Sequence, residues 1–267
     1  RRLRSRARAE RLARRLLAAR AGANQQVEGG DVLRVLRCWQ FRRNKVRRNV
    51  MPEGAAHVPS DTLGLTRSRS TQRFFLARAS SEYPAVTRLL CRWLGGRSPP
   101  ELRGADFAYT SISVNGSYAA KRHRDARNAG ASVVKAFGEF TGGRLGYWPG
   151  DVSAGKRPRV EKLPVEGRVS LNVRDSMVLF DGNRAHEVEA FEGERYSIVF
   201  FTLSAYGRVP ARLRRSFEKL GGQFPTPEFF THTEELLSGA RAASGGATGL
   251  AQWPDAQYAQ HAQHAAG

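Results

Sequence analysis

At 267 residues, with 40% hydrophobic content and a formal net charge of +20, the chain is long enough to bury a real core in one generous domain or two small ones. No apolar run approaches the ~20 residues of a bilayer-spanning helix, which excludes a membrane span of that kind. Cys38 and Cys91 lie in different segments without a CxxC pair, which argues against a disulfide framework or a cysteine zinc site and makes a reducing intracellular compartment the expectation.

The charge is unevenly spread. Residues 1–60 hold sixteen Lys/Arg against four acids, or +12, whereas residues 101–204 hold fifteen against thirteen, or +2. Residues 1–54 therefore read as a basic helical arm or targeting segment. Residues 1–22 read as an Ala/Leu/Arg helix with one acid, Glu10. The opening at Arg1 without a methionine reads as a fragment or processed form. Arg-rich, acid-poor openings occur in organelle transit peptides, in basic arms that lie on nucleic acid, and in solvated helices that touch nothing; the three stay open. Gly29-Gly30 breaks this helix, and Asp31 is placed to cap a second one carrying Val32, Val35, Leu36, Trp39 and Val46, with arginines on its other face. Met51-Pro52-Glu53-Gly54 stops it.

Residues 55–205 read as one domain. Arg73–Arg78 is a short strand candidate. Ser81, with Pro84 in the first turn, starts a helix carrying Val86, Leu89, Leu90, Trp93 and Leu94 and ending at Gly95-Gly96; Cys91 reads as a small hydrophobe within it. From Phe107 the period becomes two. Ala108–Asn115, a strand around His123, Ala131–Phe137 and Arg144–Trp148 are followed by a loop from Pro149 to Pro158. Val160–Val165, Val169–Val173, Ser176–Phe180, His186–Phe191 and Tyr196–Leu203 complete a series spaced as in a sandwich or barrel. The fold class is mainly β with flanking helices (α+β). Residues 206–238 read as C-terminal helices, over Pro210–Leu220 and from Thr226 toward Leu237. Residues 239–267, rich in Ala, Gly, Gln and Ser, read as a disordered tail in which His261 and His264 are inert.

His123-Arg124-Asp125 organises the middle of the chain. In an extended segment residues two apart point the same way, so this His and carboxylate can grip one metal ion together. His186 offers a third ligand, and Arg195 and Ser197 are spaced to share one face of the last strand. Two imidazoles and a carboxylate on one face of iron leave three neighbouring positions open, the facial arrangement of non-heme Fe(II) oxygenases.

From about Tyr109 to Thr202 the chain resembles the Fe(II)- and 2-oxoglutarate-dependent dioxygenases, in the branch with prolyl-4-hydroxylase-like catalytic domains. The resemblance rests, in order, on His123-x-Asp125, the Phe140-Thr-Gly-Gly-Arg-Leu145 turn, His186-x-Val188, and Gly193-x-Arg195-Tyr-Ser197 opening an apolar strand, and it covers roughly a third of the chain. It implies a double-stranded β-helix (jelly roll) and Fe(II) held by His123, Asp125 and His186. It also implies 2-oxoglutarate anchored by Arg195, with Ser197 and a phenol from Tyr109 or Tyr118 adding hydrogen bonds, and ascorbate as a candidate auxiliary. Many prolyl hydroxylases have Lys where Arg195 stands, which weakens any claim on proline as substrate. No side-chain general base is implied, since iron and cosubstrate carry the oxidation with dioxygen.

The prime substrate stays open among protein side chains, nucleobases and small molecules. Lys121, Arg122, Arg124 and Arg127 around the metal-binding segment suit a polyanion, and a basic arm would add phosphate attraction. Two rivals remain: a non-catalytic basic nucleic-acid-binding protein on a jelly-roll scaffold, and a cupin-like metal enzyme without 2-oxoglutarate, in which Arg195 would have no cosubstrate to hold.

Overall fold

The computed structural model describes residues 2–99, 102, 105–152, 157–239 and 250–254. Its first half runs α1 (Arg2–Gly22), α2 (Gly29–Cys38), β1 (Arg43–Asn44), β2 (Val58–Arg67), β3 (Phe74–Leu76), α3 (Arg78–Glu82), α4 (Pro84–Leu94), β4 (Ser111–Asn115) and β5 (Asn128–Phe137). Then come β6 (Phe140–Gly142), β7 (Leu145–Tyr147), β8 (Val169–Leu171), β9 (Ser176–Asp181), β10 (His186–Val188), β11 (Phe191–Gly193), β12 (Tyr196–Leu203), α5 (Ala211–Glu218), α6 (Pro227–Gly239) and β13 (Leu250–Pro254).

One large antiparallel sheet runs β1-β2-β4-β12-β5-β9-β13, with β3 paired to β2; β10-β7-β8 and β11-β6 form two small sheets. Strand alternation sorts the large sheet into two faces. Ile112, Val114, Val133, Leu179, Ile198 and Phe200 pack against the helices in the main core. The other face gives Val134, Ala136, Val178 and Phe180 to a second core closed by Phe140, Leu145 and Tyr147 of the small sheets. Trp93 of α4, fully buried, sets its ring 5.1 Å from Phe137 and 6.2 Å from Phe200. Burial of one such side chain stabilises by roughly 1.5–3 kcal/mol.

The N-terminal segment belongs to this core. Ala9, Ala13 and Leu16 of α1 are buried in it, and two buried charges latch the helix. Arg6 pairs with Asp61 at 2.5 Å and lies over the Trp39 ring at 4.3 Å. Glu10 accepts the first free N–H groups of α4, from Ala85 (3.0 and 3.1 Å) and Val86 (3.1 Å). A helix N-terminus leaves its first N–H groups unpaired and carries partial positive charge, so the only acid of α1 caps a helix about 75 residues away in sequence. The expected basic helix is present, and it is docked on the core.

Other expectations shift locally. The helix expected to reach Val46 ends at Cys38, because Trp39 turns extended and sends its indole N–H to Asp61 (3.1 Å), while Arg43 and Asn44 pair with Pro59 and Val58. Asp31 sits inside the first turn as half of a capping box with Glu28. The helix expected from Ser81 begins at Pro84 after the short α3. Val160–Val165 is no strand: two 3-10 turns stand there, with Pro164 between them removing a ladder donor. In the tail, Leu250–Pro254 pairs with β9 from Phe180 to Ser176, so this stretch is ordered as a strand. The remainder of that expectation, with His261 and His264, lies outside the described residues.

Candidate metal centre

His123 and His186 face each other across an antiparallel bridge. Each donates its backbone N–H to the other's carbonyl, at 2.9 and 3.0 Å, and the ring centroids stand 4.2 Å apart. β10 holds the second histidine, paired to Tyr147 of β7. The segment around His123 is a single bridge followed by a turn at Ala126-Arg127, not the strand expected, but its backbone is tied down: Asp125 donates its N–H to Gly182 O at 2.8 Å. Asn128 donates from Nδ2 to Asp125 Oδ2 at 3.1 Å, orienting the carboxylate. His123 Nε2 lies 3.6 Å from Asp125 Oδ1, and His186 Nε2 lies 3.8 Å from Asp125 Oδ2. One ligand atom from each of the three residues falls within 4.8 Å of the others.

The sequence could not identify what orients the imidazoles. The answer is the same for both rings: Nδ1 of His123 meets the Lys121 carbonyl at 2.8 Å, and Nδ1 of His186 meets the Arg184 carbonyl at 2.9 Å. A carbonyl only accepts, so each Nδ1 carries the proton and each Nε2 presents its lone pair. Burial, reinforced by the neighbouring His186 and opposed by Asp125, pushes His123 down to about 3. A neutral imidazole is the form that coordinates a metal. Two neutral nitrogens and one carboxylate, all converging, fit a divalent cation.

Asp151 braces both ligand-bearing segments. Its carboxylate takes two hydrogen bonds of 2.6 Å from Arg124, between His123 and Asp125, and one of 2.7 Å from the Ala185 N–H, just before His186. Arg122, which the sequence offered as part of a cationic rim, pairs with Glu187 at 3.2 Å and stacks 3.9 Å over Trp148.

Arg195 is 2% exposed at the start of β12. Its guanidinium lies 5.4 Å from the rings of both Phe140 and Phe191; its Nε has no partner, and among the described residues no carboxylate pairs with it. Loss of water pulls its pKa down to about 10, still well on the cationic side. A buried, unpaired charge is costly. The Gly142-Gly143 turn makes room for it: at Gly143, φ +63°, a Cβ would come 2.8 Å from Arg195 Nε and 2.9 Å from its Cδ.

His123, Asp125, His186 and Arg195 line one cavity of about 660 Å³, with Val134, Leu145, Phe180, Val188 and Val199 as its apolar wall. Ser197 and Tyr118 line it too, joined through Asn115: Asn115 Nδ2 donates to Ser197 Oγ (3.3 Å) and Tyr118 OH donates to Asn115 Oδ1 (3.0 Å). Tyr109 is the exception among the residues expected at the site. It sits on the helix side of the sheet, 1% exposed among Phe107, Phe200 and Phe217. Its hydroxyl lies beside the Cys91 thiol, a weak hydrogen-bonding neighbour, and away from the cavity. Tyr109 precedes β4 and lies in the main core, outside the alternation that turns Ser113 and Asn115 toward the cavity.

The chain is similar to a solved oxidoreductase of the 2OG-Fe(II) oxygenase family from Burkholderia pseudomallei. The two share 20% identity at a TM-score of 0.28, over 55% of this chain and 73% of that one. No family model matches the chain, and no curated protein matches it.

Sequence reasoning missed Asn128, Asp151, Asn115 and Arg47. Asn115 had a signal: Ser111, Ser113 and Asn115 put small polar groups on one face of a strand whose other face is apolar. Asp151 had none, because its partners Arg124 and Ala185 lie 27 and 34 residues away in sequence.

Proposed function

We propose that the chain is a non-heme Fe(II)- and 2-oxoglutarate-dependent dioxygenase that hydroxylates a C–H bond of its prime substrate on a double-stranded β-helix scaffold. The observation that carries this reading is a buried guanidinium that no carboxylate pairs with among the described residues, in the same cavity as a His-Asp-His ligand set. The ligand set alone would serve a hydrolase or isomerase equally well; Arg195 is what calls for a carboxylate-bearing cosubstrate.

His123, Asp125 and His186 would hold the iron, which supplies oxygen activation coupled to decarboxylation of 2-oxoglutarate to succinate. The protein's own part is placement. The Lys121 and Arg184 carbonyls hold the imidazoles in the coordinating tautomer, and Asn128 fixes the carboxylate. Arg195 presents a planar fork that meets a carboxylate with parallel hydrogen bonds, and burial keeps water from competing. Ser197 Oγ and the Tyr118 phenol offer further polar contacts. Val134, Phe180 and Val199 give the reacting region an apolar wall.

Succinate formation from 2-oxoglutarate under Fe(II) and oxygen, without prime substrate, tests the assignment. Wild-type protein should give slow uncoupled turnover, and His123→Ala should lower it by roughly tenfold or more. Turnover unchanged in His123→Ala would remove the reading. The same assay separates it from a cupin-like metal enzyme, which would leave 2-oxoglutarate untouched.

A further inference from the structure

Arg47 enters the same cavity from the connection between β1 and β2. Its Nη1 donates to Ser60 Oγ (3.0 Å), Ser113 Oγ (3.2 Å) and Asn115 Oδ1 (3.1 Å). All three acceptors are neutral. Among the described residues no carboxylate pairs with this guanidinium, and its Nε and Nη2 make no hydrogen bond. Arg122 and Arg124 differ, each being paired to an acid.

Charge counting separates Arg47 from Arg195. Divalent iron, Asp125 and Arg195 together carry two positive charges, which the two carboxylates of 2-oxoglutarate cancel. Arg47 is then the half-buried cation left over inside a cavity in which, among the described residues, Asp125 is the only lining carboxylate. An arginine held at one nitrogen, with the other donors free, is preorganised to meet an anion. The exposed Arg48, Arg69 and Arg127 at the same opening add a positive field that draws anions in.

Resting on the function proposed above, we infer that Arg47 anchors an anionic group, a carboxylate or a phosphate, on the prime substrate, with the apolar wall taking an aliphatic portion. The substrate is thus an anion-bearing aliphatic compound or residue, and Arg47 selects it.

Full-length protein loaded with Ni(II), which does not turn over, and saturated with 2-oxoglutarate provides the test. Binding of 2-oxoglutarate is measured first; if it fails, the function proposed above falls and takes this inference with it. Acetate, inorganic phosphate and the uncharged acetamide are then titrated, with binding read by ligand-observed NMR and the thermal midpoint. At millimolar concentration acetate or phosphate should bind without displacing 2-oxoglutarate, and acetamide should bind roughly tenfold more weakly or not at all. The tighter of the two anions identifies the group. With 2-oxoglutarate held at saturation for each protein, Arg47→Gln should weaken anion binding to the 2-oxoglutarate complex roughly tenfold or more, and Arg47→Lys should restore most of the loss. If Arg47→Gln does not fold, the acetate–acetamide comparison in the wild type decides. No anion binding to the 2-oxoglutarate complex, equal binding of acetamide, or anion binding indifferent to Arg47→Gln would overturn the inference and leave the proposed function standing.

Discussion

Asp151 holds Arg124 by two hydrogen bonds of 2.6 Å, and Arg124 is the residue between two of the three candidate metal ligands. Because the same carboxylate accepts the Ala185 N–H beside His186, one buried anion fixes the spacing of all three ligands. Asp151→Asn should keep the Ala185 contact and lose the charged fork to Arg124. Supporting groups of this kind are worth about 10- to 100-fold in metal affinity. Cobalt(II) titration read by its visible spectrum should show a loss in that range with a changed band shape, an effect that simple destabilisation does not produce. Wild-type cobalt affinity in Asp151→Asn would refute the bracing role.

The same pair gives a pH dependence. Burial works to raise the Asp151 carboxyl, but the Arg124 hydrogen bonds and the Ala185 N–H outweigh it and hold the group below its ordinary 3.8. A depressed acid contributes stability that is present above the unfolded value and lost as pH falls through the folded one. Urea midpoints of the metal-free protein should therefore fall below about pH 4, and fall less steeply in Asp151→Asn. Parallel curves would mean the carboxylate contributes nothing there.

Glu10 predicts how firmly α1 belongs to the domain. Glu10→Ala strips the cap from α4 and should lower stability by about 1–2 kcal/mol, the range for a lost helix cap. In a chain of this size that is a drop of several degrees in Tm. An unchanged thermal midpoint would return α1 to the status of a loosely attached arm.

Gly143→Ala tests the seat of Arg195. The new Cβ would meet the guanidinium stem at 2.8–2.9 Å, and φ of +63° disfavours any L side chain. We expect 2-oxoglutarate affinity to drop by roughly tenfold, the scale of a lost charge-assisted hydrogen bond. Tyr109→Phe is the contrasting case. Removing a buried hydroxyl whose neighbour is only the weakly hydrogen-bonding Cys91 thiol should change stability by less than about 1 kcal/mol and leave 2-oxoglutarate affinity unchanged. Impaired binding in Tyr109→Phe would put the phenol back at the site.

Period-two patterning and glycine turns made most of the strands from β4 to β12 legible, but not the 3-10 turns at Val160–Gly167 or the single bridge at His123, and the spacing His123-x-Asp125 with the distant His186 named the residues that come together. What was not legible depends on partners remote in sequence. The acid in α1 looked incidental until α4 was beside it, and Val46 continued a helical pattern that Trp39 abandons to reach Asp61. Tyr109 and Tyr118 were indistinguishable as phenols near a strand; only the face on which each falls separates core from cavity. Arg47 sat in a run of basic residues with nothing to mark it as the one whose guanidinium turns inward.

The central claim is that Arg195 and the His-Asp-His set serve one bound cosubstrate. Its most direct test is anaerobic visible spectroscopy of the Fe(II)-loaded protein titrated with 2-oxoglutarate. A weak charge-transfer band should saturate in the wild type, be absent in His186→Ala, and require at least roughly tenfold more 2-oxoglutarate in Arg195→Gln. A band that develops identically in all three proteins, or in none of them, would contradict that claim.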